Sequence, residues 1–130
     1  MDCRREANRR GLTIRGPRKI FDSRLAHSAY LFAGHSGISR QRQFHMQVYE
    51  KFWRRALDIE NIEAMRAELD IAAIDSRGLA DYLEQEGYER LQTLQSQAEA
   101  NGVFGVPSYR VGGELYWGAE RLERVREQLE

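Results

Sequence analysis

The tripeptide Gly105-Val106-Pro107 runs directly into an alternating segment, Ser108-Tyr109-Arg110-Val111. A proline at that place has no N–H to give to a strand ladder. A cis bond before it would hold the N–H and C=O of Val106 out at a sheet edge, where an extended peptide could pair with them. The tripeptide alone predicts the trans isomer, because cis is the minor form even before proline. Trp117 and Trp53 have the surface to line an aromatic substrate site, although both lie on stripes that suit a core. The single cysteine, Cys3, excludes an intramolecular disulfide, a Cys-x-x-Cys redox pair and a thiolate-rich metal site within this chain. Beside Arg4 and Arg5 and without a resolving partner, it reads as incidental rather than nucleophilic. His27, His35 and His45 lack the His-x-x-x-His spacing with a carboxylate that a metal needs, so no metal site is expected. Ser23 and Ser108 fit a helix cap and a strand start better than catalysis.

The elements that must position these residues can be read from periodicity. Met1 to Arg10 is helix-compatible with Gly11 as its stop, and Leu12-Thr13-Ile14-Arg15 alternates like a short strand before Gly16-Pro17. Asp22 and Ser23 are capping types for a helix carrying Leu25, Ala26, Ala29, Tyr30 and Ala33 up to Gly34. Beyond Gly37, Phe44, Val48 and Phe52 form one stripe and His45, Tyr49 and Trp53 the next, an aromatic face wide enough to want burial. Further helical patterns run through Ile62, Met65 and Leu69, then Leu79, Tyr82 and Leu83, then Leu91, Leu94 and Ala98. The character changes at Val103: Ser108–Val111 and Glu114–Trp117 flank Gly112-Gly113 as a β-hairpin, with Tyr109, Val111, Leu115 and Trp117 expected on one face. Leu122, Val125 and Leu129 form the apolar stripe of a closing helix. Helices between sparse strands predict an α/β domain in which a small sheet is covered by helices.

At 130 residues the chain is one domain in length. No apolar run is long enough for a spanning helix and no h-region follows the basic N-terminus, so neither membrane insertion nor export is expected, and a reducing cytoplasm fits one unpaired cysteine. The net charge of zero hides a dipole: residues 1–55 carry +9 and residues 56–130 carry −9. Opposite charges in one folding unit can neutralise each other, and no aromatic-plus-basic recognition motif accompanies the excess, so no nucleic-acid partner is expected.

The ordered stretch Gly102-Val103-Phe104-Gly105-Val106-Pro107-Ser108-Tyr109, then Gly112-Gly113-Glu114-Leu115-Tyr116-Trp117-Gly118-Ala119-Glu120-Arg121-Leu122, resembles the C-terminal segment of 2-hydroxychromene-2-carboxylate isomerases. That group sits with kappa-class glutathione transferases in the DsbA-like thioredoxin superfamily. Pro17, the run Asp22-Ser23-Arg24-Leu25-Ala26-His27, Phe52-Trp53 and Leu57-Asp58-Ile59 resemble the helical insertion of the same group. The resemblance implies a thioredoxin-like fold over residues 1–130 as a single incomplete domain, with a helical insertion at about 22–102 and a C-terminal ββα unit at about 103–130. It implies a cis proline at Pro107, and glutathione as cofactor, held by Val106 and Pro107 through the backbone and by Ala119 and Glu120 at its γ-glutamyl end. A helix N-terminus suits a carboxylate and a side-chain carboxylate suits an α-ammonium, although this chain has glutamate where the group usually has aspartate. Trp117, next to that end, is the substrate-lining candidate.

The superfamily's nucleophile, a serine or a Cys-x-x-Cys, belongs to a first strand and helix that have no counterpart here, so no catalytic residue is assigned. The leading expectation is a glutathione-dependent isomerase or transferase fragment acting on a small aromatic or electrophilic substrate. The alternatives are a DsbA-family thiol-disulfide oxidoreductase fragment and a non-catalytic binding module. A sheet without its first strand exposes an apolar flank, which predicts poor solubility or homo-oligomerisation.

Overall fold

Sixteen residues from Ile38 to Trp53 form the longest helix of the chain in a computed structural model that describes residues 2–130. The order is α1 (Asp2–Arg9), α2 (Arg24–Ala33), α3 (Ile38–Trp53), α4 (Ile62–Ile71), α5 (Leu79–Tyr82), α6 (Tyr88–Ala100), β1 (Ser108–Val111), β2 (Glu114–Trp117) and α7 (Leu122–Glu127). The residues divide into a first unit through Leu91 and a second, Gln92–Glu130, the division falling within α6.

In the first unit, α1 stops at Gly11, whose φ of +67° suits glycine. The strand expected at Leu12–Arg15 does not form. A strand needs a neighbour to hydrogen-bond and a face to bury. Among the described residues the segment is tied only by the Leu12 N–H to the Ala7 C=O (2.8 Å) and the Arg15 N–H to the Trp53 C=O (2.7 Å), and Leu12 is exposed. The α2 cap is also reassigned. Ser23 makes no side-chain bond, whereas the Asp22 carboxylate accepts the Arg24 N–H at 3.0 Å. It also grips the Arg24 guanidinium, which, with that N–H, holds its pKa down to about 2.

The core lies where α2, α3 and α4 meet. Small buried residues on α2 (Ala26, Ala29, Ala33) face Phe44 and Val48 of α3, with Met65 and Leu69 of α4 and Leu79 and Leu83 completing the cluster. Asn61 starts α4 by accepting the Glu63 and Ala64 N–H groups at 2.9 and 3.1 Å. Between α5 and α6, Leu83–Gly87 makes one π-helical turn. Glycine is required at its end, since a Cβ on Gly87 would lie 2.7 Å from Tyr82 Cε1. The turn is anchored to α2 by the Ser28 hydroxyl, which donates to the Gly87 C=O at 3.4 Å.

One polar network joins α3 to α4. The Glu68 side chain, 6% exposed, accepts from Lys51 Nζ at 2.6 Å and from Gln47 Nε2 at 2.9 Å, and the same amide donates to the Glu68 C=O. Removing one partner of a buried pair costs about 3–5 kcal/mol because the other charge stays behind. Lys51 is 37% exposed and water can reach its site, so Lys51→Met is expected to cost about 1–3 kcal/mol. Chemical denaturation of Lys51→Met, Glu68→Met and the double variant checks this: the double should recover most of the loss, and simply additive losses would mean the two side chains act independently.

In the second unit, α6 ends at Gly102 (φ +82°) and the β-hairpin forms at the expected residues. Gly112 and Gly113 both have positive φ, +57° and +86°, as a two-residue primed turn requires. The pairs are Ser108 with Trp117, Tyr109 with Tyr116, Arg110 with Leu115 and Val111 with Glu114. Directly opposed residues share a face, so Tyr109 and Val111 lie with Tyr116 and Glu114, while Leu115 and Trp117 lie with Arg110 and Ser108. The expected single face of Tyr109, Val111, Leu115 and Trp117 is therefore corrected: a two-residue turn pairs odd positions with even ones. The closing stripe is also narrower than expected. Val125 is buried, but Leu122 and Leu129 are exposed.

Candidate functional site

The loop before β1 and the end of β2 come together in the second unit. The Val106-Pro107 peptide bond is cis, as the resemblance implies and against the reading of the tripeptide alone. The Gly118 N–H donates to the Pro107 C=O at 2.9 Å, which fastens the end of β2 beside the proline. The Ser108 hydroxyl donates to the Gly105 C=O at 2.6 Å and closes the turn from the other side. Between these two bonds Val106 is 87% exposed, and among the described residues neither its N–H nor its C=O has a hydrogen-bond partner. An adjacent unpaired donor and acceptor on an exposed backbone offer a docking edge for another peptide.

Trp117 lies against this loop. A Cβ on Gly105 would sit 2.4 Å from its indole Nε1, so only glycine allows that approach. Its ring also meets Phe104, centroids 5.1 Å apart and planes tilted by 51°. Both rings are open to solvent, Phe104 by 75% and Trp117 by 49%. After Trp117, Gly118 (φ +103°) turns the chain into a single 3₁₀ turn, Ala119–Arg121, which leads into α7. The Glu120 carboxylate folds back over Gly118, so close that a Cβ there would lie 2.4 Å from both carboxylate oxygens. The first N–H groups of a helical turn have no intrahelical acceptor, so Ala119 and Glu120 present amides beside a carboxylate.

The DSBA-like thioredoxin domain family model matches residues 1–130. The chain belongs to that family. This DsbA-like domain is similar to the 2-hydroxychromene-2-carboxylate isomerase of Sphingobium xenophagum, with 23% identity over 94 residues. The alignment takes in 72% of this chain and 48% of the relative, so the chain spans about half the relative's length. The solved structure of a selenomethionine form of 2-hydroxychromene-2-carboxylate isomerase superposes with a TM-score of 0.79 at 22% identity, over 98% of this chain and 62% of that one. The chain has the DsbA-like thioredoxin fold, helix-rich with a two-stranded sheet.

The DsbA-like domain thus brings all five expected site residues into one patch: Val106, Pro107, Trp117, Ala119 and Glu120. Phe104, Gly105 and Gly118 belong to the resembling stretch without a role assigned from sequence, and only the contacts show that Phe104 meets the indole and that the two glycines admit the indole and the carboxylate. Cys3 is exposed, and among the described residues no three His, Cys, Asp or Glu side chains converge. No described helix is long and apolar enough to cross a membrane.

Proposed function

We propose that the hairpin patch binds glutathione, and that the DsbA-like domain serves an isomerase or transferase acting on an aromatic or other electrophilic small molecule. The unpaired Val106 amide beside cis Pro107 is the observation that carries this reading. That backbone edge can pair with the extended tripeptide, while Glu120 suits its α-ammonium and the free amides of Ala119 and Glu120 its α-carboxylate. Glutathione supplies the thiol whose thiolate attacks the substrate. The residues of this chain hold that tripeptide in register, and Phe104 and Trp117 offer an aromatic wall that can receive a substrate ring. No residue here is assigned to stabilise the thiolate. The similarity to 2-hydroxychromene-2-carboxylate isomerases supports an isomerisation, and a reducing cytoplasm would keep the thiol available.

Fluorescence titration tests the binding step. In a Trp53→Phe background, which leaves Trp117 as the sole indole, glutathione is expected to shift or quench emission saturably. A charge-assisted hydrogen bond contributes about 1.5–3 kcal/mol and less when solvated, so Glu120→Gln should weaken binding by about tenfold. A titration without saturation, or one indifferent to Glu120, would sink the reading. The activity step is checked by following 2-hydroxychromene-2-carboxylate isomerisation with and without added glutathione.

A further inference from the structure

The expected burial of the second α3 stripe does not occur, and what it forms instead is a groove. His45 is half-buried and Tyr49 is 52% exposed, and with the half-buried Trp53 they border a concavity of about 580 Å³ lying wholly within the first unit. That size falls in the range of small-molecule sites, roughly 300–1,000 Å³. Its floor is core: Ala26, Phe44, Val48 and Ile59 are all buried. One wall is a stack in which the His45 ring lies 5.5 Å from Tyr30 and 4.5 Å from Tyr49. Further along α3, Phe52 meets Phe21 edge-on at 5.4 Å and lies against Trp53 at 5.3 Å. Ile20, 99% exposed, stands at the rim.

The charges of the groove narrow its occupant. Among the described residues that line it there is no carboxylate to welcome a cation. Its one ammonium, on Lys19, is held by the Glu60 carboxylate and sits 4.9 Å from the centre of the Phe21 ring, so it is not free for an anion. The remaining polar side-chain groups are imidazoles, phenols, the Trp53 indole N–H and the Ser23 hydroxyl, and burial pushes the His27 pKa down, which favours its neutral form. A ring-lined border over an apolar floor accepts a flat ring system edge-to-face or offset-stacked.

We propose that the groove between α2, α3 and the Pro17–Phe21 segment is a binding site for uncharged, planar aromatic small molecules, built from none of the residues of the hairpin patch. The full chain is titrated with 1-aminoanthracene, an uncharged fused-ring fluorophore that accepts energy from tryptophan. Saturable one-to-one binding is expected, with sensitised emission that persists in Trp117→Phe and falls in Trp53→Phe, while direct excitation shows that the second variant still binds. Tyr49→Ala removes one ring of the wall at a half-exposed position and should weaken binding by about tenfold without lowering the melting temperature. Ala26→Phe, which fills the floor, should abolish binding if it folds. Indole should displace the probe at concentrations at least tenfold lower than tryptamine or indole-3-propionate. Absence of saturation, sensitised emission unchanged in Trp53→Phe, equal displacement by the charged indoles, or binding that tracks a dimer in sedimentation and vanishes in Ile20→Glu would each overturn the assignment. The last outcome would make a second copy of this chain the occupant.

Discussion

Phe44→Ala is expected to destabilise the first unit by about 3–5 kcal/mol, the range for deleting a buried aromatic ring when the surroundings relax only partly. Phe44 is 1% exposed and belongs to the cluster shared by α2, α3 and α4. Its neighbours on α2 are alanines, too short to reach into the vacated space, which places the cost toward the upper end. A domain of this size is stable by only about 5–15 kcal/mol, so one ring carries a third or more of the total. Urea denaturation should show a much lower midpoint with an unchanged slope, since the surface exposed on unfolding barely differs. Phe44→Leu, which keeps most of the volume, should lose less than about 1.5 kcal/mol. Similar losses for both variants would mean that ring shape, rather than filled volume, holds this core.

Gly118→Ala is the second large effect, and it falls on binding as well as stability. At φ +103° and ψ 147° Gly118 occupies a region nearly closed to other residues, and forcing alanine into it costs about 1–3 kcal/mol. The added methyl would also meet the Glu120 carboxylate, 2.4 Å away. That carboxylate ends a flexible side chain and can move, but only by leaving the place where it would meet an α-ammonium. Gly113→Ala is the control, because it too has positive φ (+86°) but nothing within 4 Å of the new Cβ. Thermal melts should show both variants weakened. Glutathione titration should show affinity reduced more than tenfold for Gly118→Ala and unchanged for Gly113→Ala. Equal affinities in the two variants would remove Glu120 from the site.

The sequence was most legible where backbone chemistry is local. Gly112-Gly113 between alternating segments gave the hairpin to the residue, and Gly11, Gly34 and Gly37 marked helix limits correctly. Legibility failed where the answer depends on something elsewhere in space. Leu12–Arg15 has strand alternation but no partner strand, and Leu122 and Leu129 have helical spacing but stay exposed. Periodicity names which side chains share a face; it does not say whether anything covers that face. The His45, Tyr49 and Trp53 stripe has the spacing of a core face and instead lines an open groove. The π-helical turn at Leu83–Gly87 had no signal in residue type. For the site, Val106, Pro107, Trp117, Ala119 and Glu120 came from resemblance, whereas their proximity rests on the Gly118 to Pro107 hydrogen bond and the glycines beneath Trp117 and Glu120.

The pairing of Ser108 with Trp117 through a two-residue turn also bears on how this segment can change length. Side chains along a strand alternate, so inserting one residue between Gly112 and Gly113 moves Trp117 and Leu115 to the side now held by Tyr116 and Glu114, unless a bulge absorbs the extra residue. The indole would then leave Gly105 and Phe104, while the proline loop itself stayed untouched. Insertions in pairs keep the parity. The tip of the hairpin is therefore a place where counting matters more than composition: a loop graft that keeps the strand register spares the patch, and a single added residue that no bulge absorbs turns the indole away from it.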